Sequence, residues 1–167
     1  MKLLVISGSM GTGKTTIMAE ASDILSAQGV EHAAIDVDSL GTAHLPRELS
    51  DDLTCRNLAS VWGNYAAVGV KRLLLACAIE DGAELDRLYR TLQIAEGVVC
   101  RLRAGVQTME QRIRVREPGM LQEQLVRRAV ELEAVLDRTH VEDFSIANDD
   151  RPVTDVAHEL LRRAGWL

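Results

Sequence analysis

The stretch Gly8-Ser9-Met10-Gly11-Thr12-Gly13-Lys14-Thr15 sets glycines, a lysine and a hydroxyl at the spacing G-x-x-x-x-G-K-[ST]. That spacing suits the capture of a polyphosphate. The glycines let the backbone come close to an anion and take positive φ, so that successive N–H groups can aim at phosphate oxygens. Lys14 then serves as a mobile point charge on the outer phosphates, and the Thr15 hydroxyl as a ligand for Mg²⁺. Thr16 follows in the first helical turn, where unpaired N–H groups and the helix dipole favour the same anion. The nucleotide-contacting set read from this stretch is Gly8, Ser9, Met10, Gly11, Thr12, Gly13, Lys14, Thr15 and Thr16, with Thr15 also on the metal.

The flanks supply the elements that such a loop needs. Lys2-Leu3-Leu4-Val5-Ile6 is a short apolar run, as a buried parallel strand would be. Thr15 to Gln28 reads as a helix, with Ile17, Ala21, Ile24 and Leu25 on one face and Gly29 as its stop. A second strand over 31–37 ends in Asp36-Val37-Asp38, and a strand's period of two would turn both carboxylates to one side. Residues 41–53, with Gly41 and Pro46, read as irregular, and a connection of that length is often functional. A helix is expected over 54–69, with Leu58, Val61, Trp62, Tyr65 and Val68 packing inward.

Strands over 71–78, 96–102 and 142–147 alternate with helices over 84–91, 108–116 and 121–138, and a last helix follows Pro152. Strand and helix therefore alternate five times without hairpin signals or repeats. That pattern predicts a three-layer α/β domain around a parallel sheet, a single domain over 1–167. Ligands bind such sheets beyond the carboxyl ends of the strands. The loop of residues 8–15, Asp36 and Asp38, Glu80 and Asp81, Arg103, and Asn148 to Arg151 all fall at that edge.

Composition excludes several classes. The chain of 167 residues is 47% hydrophobic and 26% charged, which suits one globular core. A net charge of −6 argues against nonspecific nucleic-acid binding. No run is long and apolar enough for a membrane span. Of three cysteines, Cys77 and Cys100 sit in apolar strands as buried thiols, and the odd count with no signal peptide suits a reducing cytoplasm.

With these elements in place, the sequence resembles the small P-loop kinases of nucleosides, nucleotides and metabolites. The resemblance implies a five-stranded sheet in the order 2-3-1-4-5 and a short helical lid near residues 108–119. Asp36-Val37-Asp38-Ser39 is similar to the D-G-D-N segment of adenylylsulfate kinase, and Val37-Asp38-Ser39-Leu40 to the V-D-S-L segment of chloramphenicol phosphotransferase. The resemblance puts Asp38 beside an acceptor hydroxyl, with Asp36 as a metal-side neighbour or a solvated strand end. Arg101-Leu102-Arg103-Ala104 and the run from Gln111 to Glu117 resemble the fourth strand and the lid, which implies that Arg112 and Arg116 reach the phosphates on closure. The alternative for these arginines is a solvated face paired with Glu110 and Glu117. Phe144 to Trp166 resembles the last strand and helix, whose connecting loop, with Asn148 and Arg151, borders adenine. One departure is plain: the third strand ends Leu75-Ala76-Cys77, without the aspartate of a Walker B motif.

The expectation is ATP- and Mg²⁺-dependent phosphoryl transfer to a hydroxyl of a small-molecule acceptor. Lys14, Asp38, Arg112 and Arg116 are the catalytic set, and Thr15 and Asp36 the metal set. Arg47 and Arg56 flank residues 41–53 and are candidates to hold an anionic acceptor. Two alternatives are a nucleotide-binding switch with little catalysis, which the missing aspartate favours, and a nucleotide kinase. The sequence does not name the acceptor, the preferred base or the oligomeric state.

Overall fold

The computed structural model describes residues 1–167 apart from the side chain of Arg47. Five parallel strands form one sheet in the order β2-β3-β1-β4-β5. They are β1 (Lys2–Ser7), β2 (Ala33–Asp36), β3 (Arg72–Ala76), β4 (Val98–Arg103) and β5 (Phe144–Ala147). The central strands β1 and β3 are apolar and buried on both faces, so they read as continuous hydrophobic runs rather than alternating ones.

Alternation within each strand divides the core in two. Leu4 and Ile6 of β1 face α1 (Lys14–Ala27) and α6 (Val153–Arg163), where Ile17, Ala21, Val156 and Leu160 are fully covered. Leu3 and Val5 face the other layer, with Leu58 and Trp62 of α2 (Arg47–Ala67) and Leu88 and Leu92 of α3 (Gly82–Leu92). A third, smaller core lies in the helical hairpin of α4 (Val106–Arg116) and α5 (Gln122–Thr139). Ile113, Val126 and Ala129 pack there, with Met10 of the glycine loop against them.

The strand order and the strand–loop–helix setting of residues 8–15 match the expectation. Three details differ. Helix α2 begins at Arg47, so half of the stretch read as irregular is helical. Its first turns carry Glu48, Leu49, Ser50, Asp51 and Asp52, none of them buried, and a helix without a buried face leaves no apolar period to read. Tyr65 and Val68, expected inward, are exposed, whereas Trp62 is buried. Strand β2 stops at Asp36, and Val37–Leu40 forms a 3₁₀ turn. Asp36 and Asp38 are therefore not successive residues of one strand face.

Cys77 and Cys100 are buried thiols, as expected. No helix among the described residues is long and apolar enough to cross a membrane.

Candidate active site

The glycine loop is held open by contacts from elements distant in sequence. Gly8, Gly11 and Gly13 take φ of 141°, 81° and 95°, and a Cβ at Gly13 would lie 2.6 Å from the Asn148 side-chain nitrogen. Any other residue there would be strained in backbone and crowded in space. The Ser9 hydroxyl donates to the Ala129 carbonyl of α5 at 2.7 Å, and the Thr12 hydroxyl to the Ser9 carbonyl at 2.8 Å. Asn148, 5% exposed after β5, donates from Nδ2 to the Thr12 carbonyl at 2.7 Å. The loop's carbonyls are thereby turned into protein contacts, which leaves the concave side to N–H groups.

Lys14 lies across this concavity, only 9% exposed, and its Nζ donates to the Ser9 carbonyl at 3.2 Å. Burial lowers its pKa from the ordinary 10.5; the Asp38 carboxylate, then Cys77 and Asp36, act against that, and Arg116 adds to it. Asp38 is thus first among the charges that favour the ammonium form of the loop lysine.

The two aspartates divide their roles through the 3₁₀ turn. Asp36 accepts from the Thr15 hydroxyl on Oδ2 at 2.7 Å and from the Asp38 backbone N–H on Oδ1 at 3.1 Å. Asp36 therefore faces the loop threonine, while Asp38 is displaced onto the turn, exposed at the mouth of a second cleft. The end of β3 places Cys77 where the missing aspartate would stand, on the floor of that cleft. Its thiol is pushed up to about 12, by burial first and then by Asp38, so it stays neutral at ordinary pH and does not replace a carboxylate.

Two clefts open at the carboxyl edge of the sheet. One of about 300 Å³ lies over Gly11, Gly13, Thr16, Arg112, Asn148 and Arg151, with Arg116 also on its wall. The other, of about 350 Å³, lies between the 3₁₀ turn, α2 and α3, with Asp38, Thr54, Cys77 and Arg87 in its lining. Asp38 lines the second cleft and not the first.

The arginines of α4 sort by contact. Arg112 donates to the carbonyls of Gly11 at 3.2 Å and Asn148 at 2.8 Å, so it braces the loop and the segment after β5 as well as lining the first cleft. Arg116 is exposed, bonded through Nε to Glu117 at 3.0 Å. Arg114 points away and pairs with Glu123. Arg151 is tied to Glu159 at 2.8 Å while it lines the first cleft.

Sequence reasoning missed the part played by α5. Arg101 of β4 is 1% exposed and donates to Glu133 at 2.6 Å and Asp137 at 2.9 Å, both on α5. Arg128 of α5 pairs with Glu80 after β3. These pairs, with the Ser9 contact, clamp α5 over the glycine loop. A lone arginine inside an apolar strand was the available signal, since a buried charge must find a partner.

No protein-family model matches the chain, and no curated protein sequence does. Solved structures do match. A gluconokinase from Sinorhizobium meliloti 1021 is similar with a TM-score of 0.64 and 18% identity, over 98% of this chain and 94% of that one. The fold is that of the P-loop kinases. Shikimate kinase from Acinetobacter baumannii is similar at a TM-score of 0.64 and 18% identity, over 98% and 92% of the two chains. The Mycobacterium tuberculosis APS kinase, in a structure with AMPPNP and APS, is similar at 0.63 and 18%, over 96% and 95%. That fold accounts for the strand order, and in this chain the glycine loop follows β1 and the acidic turn follows β2.

Proposed function

We propose that this protein transfers the terminal phosphoryl group of ATP to a hydroxyl of a small molecule. The observation that carries the reading is the position of Asp38. Its carboxylate acts against the burial that lowers the loop lysine's pKa, and it lines a second cleft that the nucleotide-side residues do not share. A switch protein has no need of a carboxylate facing a separate cleft.

The loop's N–H groups and Lys14 would receive the polyphosphate, and Asn148 and Arg151 would border the base. The Thr15 hydroxyl and Asp36, already bonded to each other, form a hard oxygen pair of the type that Mg²⁺ takes. Bound there, the ion would offset charge on the phosphates. Asp38 would orient the acceptor hydroxyl and take its proton as the new P–O bond forms and the bond to the leaving diphosphate breaks. Arg116 would swing from Glu117 to the transferred group, and Arg112 would hold loop and base segment in register. Water excluded by α4 would limit hydrolysis.

The test is Asp38→Asn, which keeps shape and hydrogen-bonding capacity but removes the base. Transfer should fall by roughly 10²–10⁴-fold. Affinity for a nonhydrolysable ATP analogue, measured by titration calorimetry, should change little. Equal loss of both would make Asp38 a metal or structural residue.

A further inference from the structure

The second cleft has two walls, and they are fixed by different partners. The α2 wall is joined to the 3₁₀ turn by an exposed bond from the Asn57 side chain to the Leu40 carbonyl. The opposite wall begins in the connection between β3 and α3, where Cys77, Ala78 and Ile79 line the cleft. Glu84 and Arg87 of α3 continue it.

That connection is bonded to the same parts that hold the glycine loop. The Ser7 hydroxyl, directly before Gly8, accepts from the Ile79 N–H at 3.1 Å in a buried bond. One residue on, the Glu80 carboxylate pairs with Arg128 of α5. Arg128 adjoins Ala129, whose carbonyl accepts from the Ser9 hydroxyl of the glycine loop. The Glu80 N–H donates to one Glu84 oxygen at 2.8 Å, and the other Glu84 oxygen lies 3.8 Å from Arg87. Bonded contacts therefore run without a gap from the glycine loop, through α5 and Glu80, to two side chains of the second cleft. A partly exposed ion pair such as Arg128–Glu80 adds little to stability. Its place in the line is what distinguishes it: here the α4–α5 hairpin grips the α3 wall.

We infer that Arg128 is a positioning residue for the proposed phosphoryl transfer. Through Glu80 it holds the first turn of α3, with Glu84 and Arg87, in register with the nucleotide on the glycine loop. The hairpin that carries Arg112 and Arg116 then also sets one wall of the acceptor cleft, and α2 is left out of the line. The inference rests on the phosphotransferase reading. Coupling between two sites is reciprocal, so an acceptor seated against α3 would favour the nucleotide in turn.

A line of contacts becomes a coupling only if one end responds to what binds at the other. Hydrogen exchange reads that response without any knowledge of the acceptor. Exchange is followed with and without AMPPNP and Mg²⁺ in the natural protein, in Arg128→Gln, in Glu80→Gln, and in the charge swap Arg128→Glu/Glu80→Arg. In the natural protein the analogue should slow exchange severalfold in residues 77–92 as well as in 8–16. Either single variant should lose the effect on 77–92 and keep the protection of 8–16, with circular dichroism unchanged. The swap should restore it, because it rebuilds the pair with the charges exchanged.

A pair that only stabilises the connection would alter exchange in 77–92 by the same factor with and without the analogue. The nucleotide-induced difference would then survive in both single variants, and the inference falls. It falls too if the swap restores nothing, since Arg128 would then act on the ligand and not through Glu80. Protection of 8–16 with none in 77–92 of the natural protein sinks it alone and leaves the phosphotransferase reading standing. Protection of neither segment removes the nucleotide from the glycine loop, and both readings fall together.

Discussion

The two clefts are built differently. The nucleotide side is tied across the chain: Ser9 to Ala129, Arg112 to Gly11, and Asn148 to Thr12 join residues more than a hundred positions apart. The cleft proposed for the acceptor has α2 as one wall, where Thr54 bonds Ser50, Ser60 bonds Arg56 and Arg56 pairs with Asp52, each four residues away. From α2 an exposed bond runs out of the helix, from Asn57 to the Leu40 carbonyl. A polyphosphate offers the same oxygens in every nucleotide, so its cradle can be fixed rigidly from all sides. An acceptor groove whose wall is a locally bonded helix can change its lining residues without disturbing the sheet.

Lys14→Ala is the largest expected effect. The ammonium group has one protein hydrogen bond, to Ser9, so the fold should persist by circular dichroism. Turnover should fall at least about a hundredfold, the usual scale for losing one preorganised donor to developing charge. Near-normal turnover would remove the glycine loop from the reaction and with it the contrast between the clefts.

Asn148→Ala against Asn57→Ala sets one side directly against the other. The first removes a buried bond to the loop and leaves the Thr12 carbonyl with only the long contact from Arg112 at 3.5 Å, at a cost of about 1–3 kcal/mol. Affinity for the ATP analogue should weaken by roughly tenfold, since about 1.4 kcal/mol is a factor of ten. The second removes an exposed bond whose groups water can satisfy, so stability should fall by at most about 1 kcal/mol with nucleotide affinity unchanged. Chemical denaturation and calorimetry read both variants. Similar losses of nucleotide affinity would mean that the clefts are mechanically one.

Hydrogen exchange gives a smaller, regional test. An ATP analogue with Mg²⁺ should slow exchange severalfold in residues 8–16, 106–117 and 148–151, and leave 47–58 unchanged, because buried bonded segments open less often than solvated ones. Protection spreading into α2 would show that nucleotide binding also shapes the acceptor wall.

The same contrast governs what could be read from the chain. The glycine loop was legible because phosphate chemistry fixes residue types at fixed spacing, and β1 and β3 because burial on both faces leaves an unbroken apolar run. Helix α2 was misplaced at its start because Glu48, Leu49 and Asp52 are all solvated and carry no period. The division of labour between Asp36 and Asp38 was half legible. Their spacing drew notice, but a 3₁₀ turn, not a strand, separates them. Arg112 as a brace was not legible, because its partners at Gly11 and Asn148 are set by the packing of α4 over the sheet.

The smallest expected effect is a proton. Burial holds the Lys14 pKa below its ordinary 10.5 in the free protein, and Arg116 adds to the depression. A group with a lowered folded-state pKa binds its proton less tightly than in the unfolded chain. Free-protein stability should therefore gain, through this group, as pH rises from the folded value toward 10.5. A polyphosphate beside Lys14 favours the ammonium form and must raise that pKa again. Nucleotide binding on the alkaline side should then take up a fraction of a proton. Titration calorimetry in two buffers of different ionisation enthalpy measures that fraction, which should vanish in Lys14→Met and persist in Arg87→Gln on the acceptor side. Uptake that persists in Lys14→Met would assign the proton to another group and separate Lys14 from the phosphates.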